Sequence, residues 1–260
     1  MRPLARGGSL PVDFAAPRFT TALPLLGRSF AVFFQNLPFL AAVTLAVMIP
    51  VKFAAQYVCS ELGYPPGGAV AYFIMDITDL IFGALVTPAA VYGLMAKFRG
   101  GQTAPLGDCF RWGFRQWGRT FWNGLKVEIT IILYGALLIV PGVIAMIRLI
   151  FVNVIVAIEG DHEPDPLQRS RDLAEGRRWK IFAAFVPVMI LDLLAYLVLF
   201  SFLDKAGLSW ASIAAADCAL SVGAQWALVV TLSMYLGVVE PQLPAVRKDE
   251  PAQRSRRKQK

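Results

Sequence analysis

Eight charged side chains lie inside stretches that are otherwise apolar, and these are the residues of the sequence that could do chemistry. An unpaired charge deep in a bilayer is unfavourable by about 2.5–3.5 kcal/mol on insertion scales. Such groups must therefore pair with one another, hold water or bind a ligand, and carboxylates among them could also carry protons. The eight residues are Lys52, Asp76, Asp79, Lys126, Glu128, Arg148, Asp192 and Asp217.

Asp76 and Asp79 are the two of these carboxylates that stand closest in the chain. Three residues apart, they share one face of a helix and form a local acidic pair. Paired carboxylates could serve in acid–base catalysis, but aspartates one helical turn apart are too weak a signal to assign it. The sequence has no serine–histidine motif, glycine-rich phosphate loop or HExxH. We therefore expect no catalytic activity.

Metal and cofactor motifs are not recognisable in this sequence. Its three cysteines share no motif spacing, and there is a single histidine, His162, in a charged loop. A transition-metal site needs several such ligands at suitable spacing. We therefore expect no metal and no cofactor.

The eight charges are carried by six apolar stretches that are each about as long as a bilayer-spanning helix, for which roughly 20 residues suffice. Hydrophobic residues make up 57% of the chain and charged residues 17%, an excess typical of a polytopic helical membrane protein. We predict an all-α membrane bundle of six transmembrane helices arranged as three hairpins. The six stretches are 37–59, 68–97, 120–140, 142–159, 181–203 and 209–238.

The predicted organisation is one transmembrane domain with a short segment at each end. Residues 1–19 form a cytoplasmic N-terminal segment, residues 20–240 the six-helix domain, and residues 241–260 a basic cytoplasmic tail. The N-terminal segment contains arginines but no apolar core, so we do not expect it to be a cleaved signal peptide.

Lysine and arginine accumulate at alternate ends of the predicted spans. They lie before the first span, in 97–119, in 169–180 and in the tail, whereas the opposite loops contain only Lys205. The positive-inside rule therefore predicts that both termini are cytoplasmic. The net charge of +7 is explained by this orientation and by attraction to anionic lipids, about 1 kcal/mol per basic residue. We expect membrane lipids and a membrane protein as partners, and no nucleic acid.

The cytoplasmic segment before the third span is amphipathic. One helical face carries apolar residues and the other carries arginines, which predicts a helix that lies flat among the lipid headgroups. A similar segment around Arg28 precedes the first span. The lipid-contacting residues predicted here are Phe110, Phe114 and Trp117 on the apolar face and Arg111, Arg115 and Arg119 on the polar one.

The segment before the third hairpin has a strong helix start. Asp165 is a suitable N-cap, Pro166 fits the first helical position, and Gln168 is placed to close a capping box. Because its apolar face is poorer, we expect this helix to pack on the protein.

Counting residues from the external ends places most of the buried charges in one layer. Lys52, Asp76, Asp79, Arg148, Asp192 and Asp217 all lie about 10–16 Å deep. Glu128 is deeper, and Lys126 is near enough to the inner face to snorkel. Arginine has no neutral form at accessible pH, so we expect Arg148 to face the bundle and pair with one of these carboxylates.

Three interpretations of the layer remain open. The charges could be inter-helix ion pairs that fix the fold. They could line a water-filled pocket, open to the outside, for a polar solute or a lipid headgroup. Alternatively, the aspartates could form a proton or cation relay.

A series of short motifs resembles a known family. These are Val140-Pro141-Gly142-Val143-Ile144, Arg148, Glu159-Gly160, Pro166-Leu167-Gln168-Arg169-Ser170 and Trp179-Lys180-Ile181-Phe182. They resemble an uncharacterised family of bacterial six-helix integral membrane proteins. That family is similar to the membrane domain sometimes fused to glycerophosphoryl diester phosphodiesterases. The acidic insert 161–165 is more charged than the family pattern. Because the catalytic domain is missing, the resemblance implies a lipid-related membrane role but no phosphodiesterase activity.

The function predicted from these observations is that of a non-catalytic inner-membrane protein. It would handle a lipid or a polar solute in an outward-facing polar pocket. The alternatives are a membrane scaffold or accessory subunit with structural ion pairs, and a proton- or cation-coupled transporter.

Overall fold

The fold was described from a computed structural model, over residues 22–65, 68–160, 165–206 and 209–239. The predicted N-terminal segment 1–19 and basic tail 241–260 lie outside these ranges, as does most of the acidic insert. Within them the chain is all-helical and forms no strand. The helices are α1 Ala22–Gln35, α2 Leu37–Glu61, α3 Ala69–Gly100, α4 Leu106–Leu137, α5 Ile139–Leu149, α6 Val152–Glu159, α7 Pro166–Ala174, α8 Arg178–Ala206 and α9 Trp210–Val239.

Five stretches of the described chain are long and apolar enough to cross a membrane. They correspond to the first, second, fourth, fifth and sixth predicted spans. The predicted span 120–140 lies in α4, which is less apolar because Lys126 and Glu128 interrupt it. The protein is therefore a multi-pass membrane protein on the evidence of helix length and composition. The five stretches are Leu37–Glu61, Ala69–Phe98, Ile139–Glu159, Arg178–Leu199 and Trp210–Val239.

The segment predicted to be a flat interfacial helix before the third span is not a separate helix. Residues 106–119 are the first half of the continuous helix α4, which packs lengthwise against α3. The Trp117 indole donates a hydrogen bond to the Ile81 carbonyl oxygen at 2.8 Å. The rings of Trp112 and Tyr92 stack with centroids 5.6 Å apart. Part of the segment for which lipid contact is predicted thus packs on α3.

The six residues predicted to contact the membrane surface differ in how exposed their side chains are. Arg111 and Arg115 are exposed, as expected for the polar face, while Arg119 is half-buried. Phe110 is half-buried against the core, whereas Phe114 and Trp117 remain exposed. The amphipathic pattern was interpreted correctly as helical, but its apolar face meets α3 as well as the exterior.

The fourth predicted span is not one straight helix, because α5 ends at Leu149 and α6 begins at Val152. Ser170 of α7 bridges this break. Its buried hydroxyl donates to the Arg148 carbonyl oxygen at 2.9 Å and accepts from the Phe151 amide at 3.2 Å. These bonds satisfy backbone groups that the interrupted helix leaves without partners.

The helix α7 begins as predicted and packs on α5 and α6, so the expected packing on the protein is confirmed. The Asp165 side chain accepts a bond from the Gln168 amide at 3.1 Å. The structure shows no reciprocal capping-box bond between these two described residues; the Gln168 side-chain amide donates to Asp172 at 2.9 Å.

The turn between α4 and α5 lies at Leu138, earlier than the sequence predicts. Leu138 is extended, with φ −162° and ψ 146°. Pro141 falls in the first turn of α5, where its missing N–H leaves no bond unmade. Gly142 passes so close to α4 that a Cβ there would be 2.8 Å from the Gly135 Cα. The predicted boundary between the spans 120–140 and 142–159 therefore falls inside the first turn of α5, where this helix crosses α4.

The packing is dense at one end of the bundle and open at the other. The densely packed region includes Phe151 and the α6 residue Ile155, both fully buried, and the last third of α9. By contrast, the tip of the α4–α5 hairpin and much of α8 are exposed, including Leu137 and Val198. The functional site lies between these two regions.

Gly113 offers a test of the α3–α4 packing. A Cβ at this position would lie 2.8 Å from the Leu85 carbonyl oxygen, a backbone atom that cannot easily move. Overpacking of this kind costs about 1–3 kcal/mol. We expect Gly113→Ala to lower the melting temperature of the protein in detergent or nanodiscs.

Gly118 on the same helix is the matched control, because a Cβ there meets nothing within 4 Å. Gly118→Ala should leave the melting temperature unchanged or raise it, since alanine favours a helix by up to about 1 kcal/mol. Equal melting temperatures for the two variants would contradict close packing of α4 on α3.

Candidate functional site

Lys52 of α2 is a buried ammonium that joins three helices. Its side chain is 3% exposed, and its Nζ lies 3.0 Å from Oδ1 and 3.1 Å from Oδ2 of Asp79 on α3. It also donates to the backbone carbonyl oxygen of Asp217 on α9 at 3.4 Å. An inter-helix ion pair, one of the three interpretations left open for this layer, is thus present between Lys52 and Asp79.

The Asp217 carboxylate meets an amide and not the ammonium. Gln56, one helical turn after Lys52 and also buried, donates to Asp217 Oδ2 at 3.5 Å. Ser221 donates to the Asp217 carbonyl oxygen at 2.8 Å. Among the described residues Lys52 therefore forms an ion pair with Asp79 alone, and it contacts α9 through the Asp217 backbone.

The Asp79 side chain is 47% exposed, because its other side faces a cavity. This cavity has a volume of about 700 Å³ and lies between α3, α4 and α6. Its walls are one helical stripe of α3 and one of α4, with residues three or four apart. The lining residues are Phe73, Asp76, Ile77, Asp79, Leu80, Gly83, Ala84, Thr87, Thr120, Gly124, Glu128, Ile132 and Asn153.

The charged groups of the cavity lining are all acidic. Asp76 and Asp79 come from α3 and Glu128 from α4, and no lysine, arginine or histidine lines the cavity within the described chain. Asp76 and Glu128 make no hydrogen bond or salt bridge to any other described residue. The cavity therefore has a marked excess of negative groups.

Three neutral polar side chains complete the lining: Thr87, Thr120 and Asn153. Thr120 is 2% exposed, and its Oγ1 has no hydrogen-bond partner among the described residues. Asn153 is exposed although its neighbours from Phe151 to Ile158 are buried, because it faces the cavity from α6. The Asn153 side chain is thus open to the cavity, and the Thr120 hydroxyl is a buried polar group of the cavity wall that lacks a partner among the described residues.

Arg148 does not join the acidic layer. The predicted ion pair with Asp76, Asp79, Asp192, Asp217 or Glu128 is wrong: the Arg148 guanidinium pairs with no described carboxylate, and its buried Nε lacks a partner. Counting residues along one straight span predicted the depth of Arg148 in the bundle. It could not predict the direction in which the side chain points. The break between α5 and α6 places the Arg148 backbone against Ser170 of α7.

Asp192 also lies away from the other carboxylates. It is exposed on α8 between Leu191 and Leu193, which are exposed as well, and it forms no ion pair within the described residues. The apolar residues of α8 surround the helix almost evenly. The sequence therefore could not indicate which face Asp192 occupies.

Gln56, Thr120 and Asn153 are site residues that the sequence reasoning missed. The prediction weighed charged residues only, although an uncharged polar side chain inside a span is also costly without a partner. A signal was present on α4, where Thr120, Gly124 and Glu128 recur every four residues along one face.

Replacing Lys52 and Arg148 separately tests this arrangement. Lys52→Met removes the partner of a carboxylate and the link to α9, so we expect it to cost about 1–3 kcal/mol; the half-exposed Asp79 keeps the loss below that of a fully buried pair. Arg148→Met removes no ion pair, and we expect a smaller loss of melting temperature. A larger loss for Arg148→Met would contradict the pairing described here.

Comparisons with known proteins place the site within a family. No curated protein and no solved structure matches the chain. A family does match, over residues 39–240. This range includes every residue that lines the cavity, and also Lys52, Gln56 and Asp217. The chain belongs to the family described as "Domain of unknown function (DUF7847)".

Proposed function

We propose that this protein is a membrane-embedded binding protein that receives a polar, cationic solute in its acidic cavity without changing it covalently. The observation that carries the proposal is the charge of the cavity lining. Among the described residues, three carboxylates line the cavity and no cationic side chain does. A binding cavity of about 700 Å³ is in the usual range for small organic ligands.

The proposed topology has six spans in three hairpins, α2–α3, α4 with α5–α6, and α8–α9, with both termini in the cytoplasm of a bacterial inner membrane. The asymmetry of lysine and arginine supports it. The second half of α4 serves as the third span, supported by its packing along α3. The same proposal includes contact with the surrounding lipid. It also includes a relationship to the membrane domains fused to glycerophosphoryl diester phosphodiesterases.

The carboxylates lie at membrane depth under this topology. At 1.5 Å per residue, Asp76 is about 10 Å from the start of α3 and Glu128 about 14 Å from the end of α4. Carboxylates at such depth face a bundle interior or a water-filled cavity and mark ligand or ion pathways. Their position therefore supports binding of a solute that enters from the water.

The alternative roles explain less of the site. Structural ion pairing accounts for Lys52 and Asp79 but leaves Asp76 and Glu128 without partners. A lipid phosphate would meet only negative charge in this cavity. A proton- or cation-coupled transporter is the second candidate, favoured by the series of carboxylates from Glu128 through Asp76 and Asp79 to Asp217.

Charge-selective labelling in membranes tests the proposal. Asn153→Cys would be introduced after replacing Cys59, Cys109 and Cys218 with alanine, and treated with cationic and anionic methanethiosulfonates. Acidic clefts concentrate cations by factors of about 10 or more. We expect the cationic reagent to react at least about 10-fold faster, and this preference to shrink in Glu128→Gln.

Leu194→Cys is the control, because it lies on the exposed apolar part of α8 and should react with neither reagent in lipid. An unreactive Asn153→Cys, or one that reacts equally with both reagents, would overturn the proposed function.

A further inference from the structure

The cavity combines strong negative charge with a shape that a single small ion does not fill. Its volume of about 700 Å³ far exceeds the roughly 30 Å³ of one water molecule. Within the described residues, no group of three or more histidine, cysteine, aspartate or glutamate side chains is close enough to hold a metal ion. Calcium and magnesium need convergent oxygen ligands at about 2.0–2.6 Å. The dispersed carboxylates therefore favour an organic cation over a bare metal.

Lys52, the cationic side chain next to the cavity, does not neutralise the carboxylates of the lining. Lys52 is 3% exposed on α2 and is held by Asp79 and by the Asp217 backbone. It reaches Asp79 but does not line the cavity. Asp76 and Glu128 stand on the two walls without a partner in the described chain. An ammonium group from a ligand would supply the missing positive charge between these walls.

The polar groups of the cavity are spread along its length. Thr120 lies about 12 Å from Glu128 along α4. The unpartnered Oγ1 of Thr120 can accept a hydrogen bond, and so can the side-chain oxygen of Asn153. Between the acidic region and Thr120 the walls are apolar, with Leu80 and Ala84 on α3. This sequence of acidic, apolar and neutral polar groups matches an elongated molecule with amino groups separated by methylenes.

From these observations we infer that the solute is a linear aliphatic polyamine with at least two separated amino groups. One ammonium lies between Asp76 and Glu128, the methylenes follow Leu80 and Ala84, and a further amino group donates to Thr120 and Asn153. The inference rests on the proposed function and narrows it from a cationic solute to one class of solute.

The test is calorimetric titration of the full-length protein in nanodiscs of neutral phosphatidylcholine, which avoids binding of amines to anionic lipid. The probes are spermidine, butylamine and magnesium chloride. We expect one spermidine per protein, bound at least about 10-fold more tightly than butylamine, the difference that about 1.4 kcal/mol produces. Magnesium should not compete with spermidine.

Three variants locate the binding. Glu128→Gln should weaken spermidine binding by about 10-fold or more, and Thr120→Val, which keeps size and charge, by about 3-fold or more, as expected for a lost hydrogen bond. Asp192→Asn removes a carboxylate outside the cavity and should leave the affinity unchanged. Melting temperatures in the same nanodiscs check that each variant is folded.

The failures of the two proposals are distinguishable. Equal affinities for butylamine and spermidine, or no binding of either amine while Asn153→Cys still prefers the cationic reagent, would overturn the polyamine inference and leave the acidic cavity standing. Spermidine binding that persists unchanged in folded Glu128→Gln and Thr120→Val would place the amine elsewhere and also overturn the inference.

Discussion

A single buried ammonium, that of Lys52, sets the arrangement of the helices around the site. Taking this charge out of water is costly, and the cost is offset only if the ammonium finds an opposite charge and further acceptors. Asp79 on α3 and the Asp217 carbonyl on α9 provide them. The requirement thus fixes α2, α3 and α9 relative to one another. It also leaves Asp76 and Glu128 on the cavity wall without a partner among the described residues.

The rest of the bundle keeps this cavity open. On one side α4 is fixed against α3 by the close approach at Gly113 and the Trp117 hydrogen bond. The buried helix α6 forms the third wall and presents Asn153. The Ser170 hydroxyl stabilises the break that separates α5 from α6, so a helix outside the cavity contributes to its shape. Dense packing at one end of the bundle therefore supports a polar space nearer the other.

Much of the fold could be predicted because it depends on local chemistry. Apolar stretches of sufficient length predicted five helices now seen, and the Asp165–Pro166 start predicted α7. The limits of α4 and the break after Leu149 could not be predicted in this way. Both depend on partners distant in sequence: the α3 backbone in one case and the Ser170 hydroxyl in the other.

The sequence predicted how deep the site residues lie along their helices, but not which face of each helix they occupy. Residue counting put Lys52, Asp79 and Asp217 in one layer, and these three do meet. The same counting put Arg148 and Asp192 there, yet neither joins the cluster. The depth of a residue follows from the rise per residue of the helix. The face on which it lies can be predicted only where polar residues recur as a stripe along one side of the helix. α8 has no such stripe, and α5 is turned by its packing on α7.

The coupling free energy between Lys52 and Asp79 is the most direct measure of the interaction on which the site depends. It can be obtained from reversible unfolding in lipid of the parent, the Lys52→Met and Asp79→Asn variants, and the double variant. The structure predicts that the double variant is more stable than the sum of the two single losses implies, by about 1–3 kcal/mol for residues in one network. Losses that add to within about 0.5 kcal/mol would contradict the pair and with it the origin of the acidic cavity.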